Sequence, residues 1–546
     1  MSRAMIVDSQ PEEDNVDDAG ESSADEEFVV KAKSTAIHQN TPPICLTNVA
    51  MTCDRFGVSD RCAATLVSAT LQDVGLVSEE NMTMVVDRSK VRRERSKVRC
   101  RLQMKCSSQL CGLYFDGRKD KTRQQIKKGT KFYSKTVSEE HICLVQEPGS
   151  VYMGHLTPQS SEAKSTANGI FEFLKKHSIE TDHLVAVGCD GTNVNTGVNR
   201  GVIRLLEEHF QRPLQWFVCL LHTNELPLRH IIQKLDGGTT GPKAFTGPIG
   251  RLLSNCEELP VVDFEPIVFQ TCPDLTSVDL SNDQRYLYDM CQAVSSGKCS
   301  ADLALRKPGP VVHSRWLTTA NRLLRLYVAT ERPSSNLITL VTYVIKVYGP
   351  VWFHIKVHSS CTEGCKNIWK MIEFSRYLQP TLRSIVDEVI QRNAYFCHSE
   401  NLLLGMLTDE REHIRELAYR RILAARRENI ILSEVRRFRV PTINFAAKDY
   451  IDLVDWYKMD RYDPPLLKNF TDIELANFVE KKDSEKSMLI RKLPCHTQAT
   501  ERCIRLVTEA SAAVCGETAR DGFIRTRIQS RAAMKTFNTK AEYRLS

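Results

Sequence analysis

The stretch HLVAVGCDGTNVNTGVNRGVIRLLEEHF, residues 183–210, most constrains the fold. An apolar run from Leu184 to Cys189 ends in a carboxylate, a glycine and a loop, and residues 199–210 then read as a helix. A second helix pattern precedes it at 162–179, and another strand (214–222) and the start of a further helix (225–232) follow. Strands alternating with helices in this way belong to a sheet covered on both faces. Upstream the period changes. Residues 111–120 predict a short strand ending at Asp116, and 131–158 predict one or two more strands, with Pro148 and Gly149 between them. The fold class is therefore α/β, with a mixed sheet.

The loop after Cys189 admits two chemistries. A phosphate-binding loop needs a Gly-Lys-Ser/Thr ending, and a dinucleotide site needs three close glycines. Gly191, Gly197 and Gly201 are too widely spaced, and no lysine follows. The other reading is a strand that delivers Asp190 to the sheet edge, as an earlier strand delivers Asp116. If those strands are neighbours, their carboxylates lie side by side and repel unless cations or a shared proton intervene. Hard oxygen ligands suit magnesium or manganese, and a pair of such ions supports phosphoryl transfer. Asp-Gly pairs are also ordinary turn residues, so spacing alone leaves the two roles of Asp190 open.

At 546 residues the chain is too long for one core and implies two to four domains. Its net charge of +7 says little, but the distribution says more. Residues 1–30 hold ten carboxylates and one arginine, a composition that cannot offset its ordering entropy and predicts a disordered acidic tail. Residues 88–105 reverse the sign, with nine basic groups and one glutamate over a thin stripe of Val91, Val98 and Leu102. They predict a helix with a cationic face, presented to solvent or to DNA, or read as a nuclear import signal. Before it, 59–76 predicts a helix capped by Ser59 and stopped by Gly75, with Ala63, Leu66, Val67, Leu71 and Val74 on one face. Nineteen scattered cysteines in a charged chain without a signal-peptide pattern predict reduced thiols. The run LITLVTYVIKVYGPVWF (337–353) is broken by Lys346 and a Gly-Pro pair, which predicts a buried helix and no membrane span. Most of 223–490 reads as helical. In 408–427 Thr408 is the expected cap, with arginines crowding the far end.

Four motifs in order carry a family resemblance. VGCDGTNVNTG with Asp190, then CLLH (Cys219 to His222) followed by NEL, HSRWLTT (313–319) and HTQATERCIRLVTEAS (496–511) together resemble the hAT superfamily of DNA transposases. The resemblance covers about 111–531. It implies an RNase H-like mixed sheet interrupted by a large all-α insertion, plus a small helical N-terminal domain. The implied division is an acidic tail (1–47), a basic helical domain (48–110), the sheet's first part (111–222), the insertion (223–490), the sheet's second part (491–531) and a C-terminal tail (532–546). It also implies Asp116, Asp190 and Glu501 as catalytic ligands of Mg²⁺ or Mn²⁺ for DNA strand cleavage and transfer. Arg315 would meet a phosphate and Trp316 would stack on a displaced base, although a core role suits the tryptophan as well. Arg92, Arg93 and Arg95 are the candidate DNA contacts of the basic run. Cys219 and His222 become a structural hinge beside the site rather than metal ligands; by themselves they read as a core thiol and a packing or capping group. DNA as partner, a homo-oligomer and a nuclear location follow from the same resemblance. The sequence departs from the family at Asp116, which lacks the expected tryptophan nearby, at TERCIR in the last motif, and in having no N-terminal zinc finger. The missing finger and altered first motif favour an alternative, a domesticated descendant that keeps fold, DNA affinity and self-association without cutting, whereas retention of all three acids favours the first reading. A nucleotide-binding enzyme remains the third reading, and no structural zinc is expected.

Overall fold

The structure, a computed structural model, describes residues 44–79, 81–102, 109–239, 244–269, 272–276, 278–309, 316–428, 438–533 and 540. The acidic segment up to residue 43, Arg315 and most of 534–546 lie outside the described residues. Five strands form one mixed sheet: β1 (Gly112–Lys128), β2 (Lys131–Glu147), β3 (Val151–Leu156), β4 (Ala186–Cys189) and β5 (Gln215–Val218). Their order is β3-β2-β1-β4-β5. β1, β2 and β3 pair antiparallel as successive hairpin neighbours, whereas β4 and β5 run parallel to β1. The parallel strands are connected through helices α1 (Ala163–Lys176) and α2 (Val202–Phe210), as parallel neighbours require.

Alternation sorts the strands onto two cores. Leu113, Phe115, Ile142, Leu144, Val187, Cys189 and Trp216 face a core completed by α1 and α2, including Ile170, Leu174, Ile203 and Leu206. Tyr114, Cys143, Val145, Ala186 and Phe217 face the opposite way, into a larger core that continues through the helical region. Packing on that second face are α3 (Gln498–Ala513) and α4 (Glu517–Ala533), whose Cys503, Ile504, Val507 and Ile524 belong to it. Close contact dictates one glycine here. The Tyr114 ring lies over Gly188, and a Cβ there would sit 2.4 Å from it.

β1 is much longer than expected. The sequence predicted that it stops at Asp116, yet its ladder with β2 runs unbroken from Gly112↔Glu147 to Lys128↔Lys131. β4 covers only Gly112 to Tyr114 and β3 covers only Ile142 to Gln146, so the remainder projects as a two-stranded ribbon. Gly129, at φ +65°, makes the two-residue turn at its tip.

Among the described residues three helices precede the sheet, Thr47–Phe56, Asp60–Asp73 and Arg88–Arg101. Ser59 caps the second through the Cys62 N–H at 3.1 Å, and Val91 and Val98 bury the basic helix as expected, but Leu66 and Val74 are exposed. This unit rests on α4: Arg527 donates to the Arg55 carbonyl at 3.0 Å, and the Arg99 guanidinium lies over Phe523. Between β5 and α3 the chain is mostly helical. Its first helix, Leu220–Asp236, begins five residues before the predicted start. Residues Ser335–Val357 form one continuous 23-residue helix that runs through the Gly-Pro pair by way of a π turn at Val344–Tyr348. It is thus long and apolar enough to cross a membrane, correcting the expectation that Lys346 and the Gly-Pro pair break it, but 72% of its most apolar window is buried inside the protein. Thr408 does not cap the next arginine-rich helix, which starts at Glu412; its hydroxyl donates back to the Leu404 carbonyl at 3.0 Å. This helical region also covers the edge of the sheet, where Asn401 donates to the Trp216 carbonyl of β5 and so shields a strand that would otherwise expose unpaired groups.

Candidate functional site

The parallel pairing of β1 with β4 sets the geometry. Gly112 pairs with Ala186, Leu113 with Val187 and Tyr114 with Gly188. Carried on by two residues, the same offset aligns Asp116 of β1 with Asp190, one residue past the end of β4. Alternation then assigns both to the face of Tyr114, Ala186 and Gly188, which is the α3 face. The two charges also reach one common neighbour: the Cys189 thiol is raised well above its usual range by burial first, then by Asp190, Cys219 and Asp116.

Glu501 stands in the first turn of α3, where a carboxylate is favoured by the helix dipole. Cys143, the direct cross-strand partner of Asp116, donates to the Thr500 carbonyl at 3.0 Å. That thiol is raised by burial, then by Cys503 and Asp116, which places it between the first acid and the helix of the third. The Thr497 hydroxyl lies 3.4 Å from Glu501 Oε1, and the Thr497 N–H donates to Cys219 Sγ at 3.3 Å. Cys219 in turn donates its own N–H to the Cys189 carbonyl at 2.8 Å. One chain of contacts therefore joins Glu501, the end of β5 and the end of β4. Cys219 sits within this chain as a buried connector. His222 is half-buried and lies by Gly191, its Cδ2 3.4 Å from where a Cβ on that glycine would stand.

Asp190 is held firmly. Its Oδ1 accepts from the Thr192 N–H at 3.2 Å, the Thr192 hydroxyl at 2.9 Å and Asn195 Nδ2 at 2.6 Å. The loop after β4 thus folds back on its own aspartate, and among the described residues Oδ2 accepts no hydrogen bond. Sequence reasoning singled out Asp190 but missed Thr192 and Asn195, although the Asp-x-Thr spacing of an Asx turn was there to be read. Among the described residues no three His, Cys, Asp or Glu side chains are gathered closely enough to hold a metal ion. The backbone brings the three acids to one rim and one face, while their side chains do not form a ready ligand cluster.

The other candidates separate. Arg92 and Arg93 are exposed on the basic helix. Arg95 is turned inward instead, pairing with Asp54 at 3.0 Å and with Asp60, and donating to the Val58 carbonyl at 2.8 Å, so it ties the three N-terminal helices together. Trp316 is buried in the larger core with its ring edge-on to Phe245 at 6.1 Å. Arg315 lies outside the described residues.

No known family's profile matches the chain, and no curated protein matches it. Among solved structures it is similar to the Drosophila P element transposase strand transfer complex, at 11% identity and a TM-score of 0.32, over 92% of this chain and 94% of that one.

Proposed function

We propose that this is a transposase-like, DNA-binding protein in which Asp116, Asp190 and Glu501 form a divalent-metal site for DNA strand cleavage and transfer. The observation that supports the reading is the β1–β4 register from Gly112↔Ala186 to Tyr114↔Gly188, which, continued two residues past its last pair, aligns Asp116 with Asp190. The strand order β3-β2-β1-β4-β5, with only β2 antiparallel to its neighbours, supports an RNase H-like sheet. The helices between β5 and α3 support the reading further, since the four motifs imply such an insertion. The hAT assignment rests on those motifs. On this reading the chain acts on DNA in the nucleus as a homo-oligomer.

Three carboxylates supply the hard oxygen donors that Mg²⁺ or Mn²⁺ prefers, so the donor chemistry fits. When bound, such ions supply Lewis-acid stabilisation of a phosphoryl oxygen and a nucleophile at neutral pH. The chain's own contribution is positional. Thr192 and Asn195 fix the Asp190 carboxylate through one oxygen, and the Thr497–Cys219–Cys189 contacts lock the first turn of α3 to the strand ends. Exposed Arg92 and Arg93 add positive charge for phosphates.

A second reading, an inactive descendant that binds DNA without cutting it, is favoured by one observation: among the described residues the acid side chains are not gathered into a metal cluster. A manganese-dependent nicking assay on supercoiled duplex DNA separates the two. The first reading expects cleavage by the wild-type protein and none by Asp190→Asn. Equal activity in both proteins, or no activity in either, contradicts it.

A further inference from the structure

The projecting half of the β1–β2 hairpin has two unlike faces. Residues 117–141 carry eight Lys or Arg against three acids. On one face Thr122 and His141 are fully buried and joined at 2.7 Å, with Arg520 of α4 3.8 Å from Glu139. The protein covers that face near its root. The other face, set by the β1 residues of odd number, is exposed along its whole β1 length and presents Lys119, Lys121, Arg123 and Lys127 in a row. Their cross-strand partners are Glu140, Ser138, Thr136 and Phe132. Only Lys119 thus faces an acid. Arg123 donates to the Ser134 hydroxyl at 2.8 Å, and Lys127 lies 5.8 Å from the centre of the Phe132 ring. Among the described residues no carboxylate pairs with Lys121, Arg123 or Lys127.

Such a ribbon buries little apolar surface, so core packing does not explain it. Lysines on exposed strands do discourage edge-to-edge aggregation, but that purpose requires no one-sided row. Residues two apart on a strand recur about every 6.8 Å, and the row from Lys119 to Lys127 spans about 27 Å. Duplex DNA offers a continuous line of phosphate charge over that length, and its major groove, about 12 Å wide, admits a two-stranded ribbon. The corresponding groove of duplex RNA is too narrow. Phe132 and Tyr133, 62% and 51% exposed, stand at the tip where the ribbon would meet the groove floor.

We infer that this ribbon is a DNA clamp whose Lys121, Arg123 and Lys127, with Lys119 at the root, dock the phosphate backbone of duplex DNA. The inference rests on the DNA-binding reading above but names a surface separate from the acids. The test uses the full chain and a fluorescein-labelled 30-base-pair duplex, followed by anisotropy from 50 to 300 mM NaCl. Lys121→Gln/Arg123→Gln/Lys127→Gln and the matching triple Glu variant should lower the slope of log affinity against log salt by about 2.7 in magnitude, about 0.9 for each phosphate no longer neutralised. Both should melt like the wild type, because the altered side chains are exposed. The anisotropy is read without divalent metal, so a failure of the catalytic reading leaves this result intact. Wild-type affinity and slope in both triple variants overturn the clamp, whether or not those variants aggregate. Binding of the wild type to duplex RNA or to anionic phosphatidylserine vesicles as tight as to duplex DNA, and equally weakened in the variants, overturns it too.

Discussion

One pair of strands builds two unlike regions. From Gly112 to Asp116 and from Cys143 to Glu147 the hairpin is a sheet interior, with Leu113, Cys143, Leu144 and Val145 fully buried. From Arg118 to His141 the same unbroken ladder leaves the protein as a ribbon. Backbone pairing is continuous across the boundary, so hydrogen bonding cannot explain the difference. What changes is what the side chains touch: two cores on one side of Asp116, and mainly water, with one partly covered face, on the other. Asp116, half-buried, stands where the covering stops.

The contrast breaks if stability does not follow burial. Leu144→Ala should cost about 2–5 kcal/mol of unfolding free energy, since it leaves a cavity in the core shared with α1 and α2. Chemical denaturation checks this. Gly188→Ala should cost about 1–3 kcal/mol, because its Cβ would press into the Tyr114 ring. On the ribbon, Thr136→Ala should stay within about 0.5 kcal/mol of the wild type, as expected for an exposed position. A loss there comparable to that of Leu144→Ala would show that the ribbon is part of the cooperative core.

Acidity sharpens the same comparison. His155 of β3 pairs with Cys143 beside the inner half of the hairpin, and burial, aided by Arg520, His141 and Arg525, pulls it down to about 3. Unfolding returns it to the ordinary histidine value of 6.5, so between these values the unfolded chain binds the extra proton. Its contribution is therefore complete above about pH 6.5 and is lost as pH falls toward 3. Thermal melts from pH 7 to pH 4 should show a shallower decline in His155→Gln than in the wild type. Identical slopes would mean that His155 is not held neutral by the fold.

Much of this was legible in residue order. Ala186–Cys189, α1 and α2 follow from apolar spacing, because each buries a face that the spacing records. The ribbon was not legible. Lys, Arg and Gln between 117 and 128 carry no apolar-polar alternation in the sequence, and only pairing with β2 makes them a strand. The fate of Arg95 was hidden for a related reason. Its partners Asp54 and Asp60 are brought to it by helix packing, so a basic run alone could not separate it from the exposed Arg92 and Arg93. Trp316 was equally opaque, since Phe245 reaches it from 71 residues away. For the acids the order along the chain was readable. Their common face was not, because it depends on the β1–β4 register, which no local pattern encodes.

Metal binding tests that shared face most directly. Calorimetric titration of Mn²⁺ into the wild-type protein, Asp116→Asn, Asp190→Asn and Glu501→Gln at pH 7 asks whether three acids distant in sequence act as one site. We expect saturable binding by the wild type, weakened about tenfold or more in each variant while melting temperatures stay close to the wild type. Unchanged Mn²⁺ affinity in any of the three variants, or no binding by the wild type, would contradict a joint site.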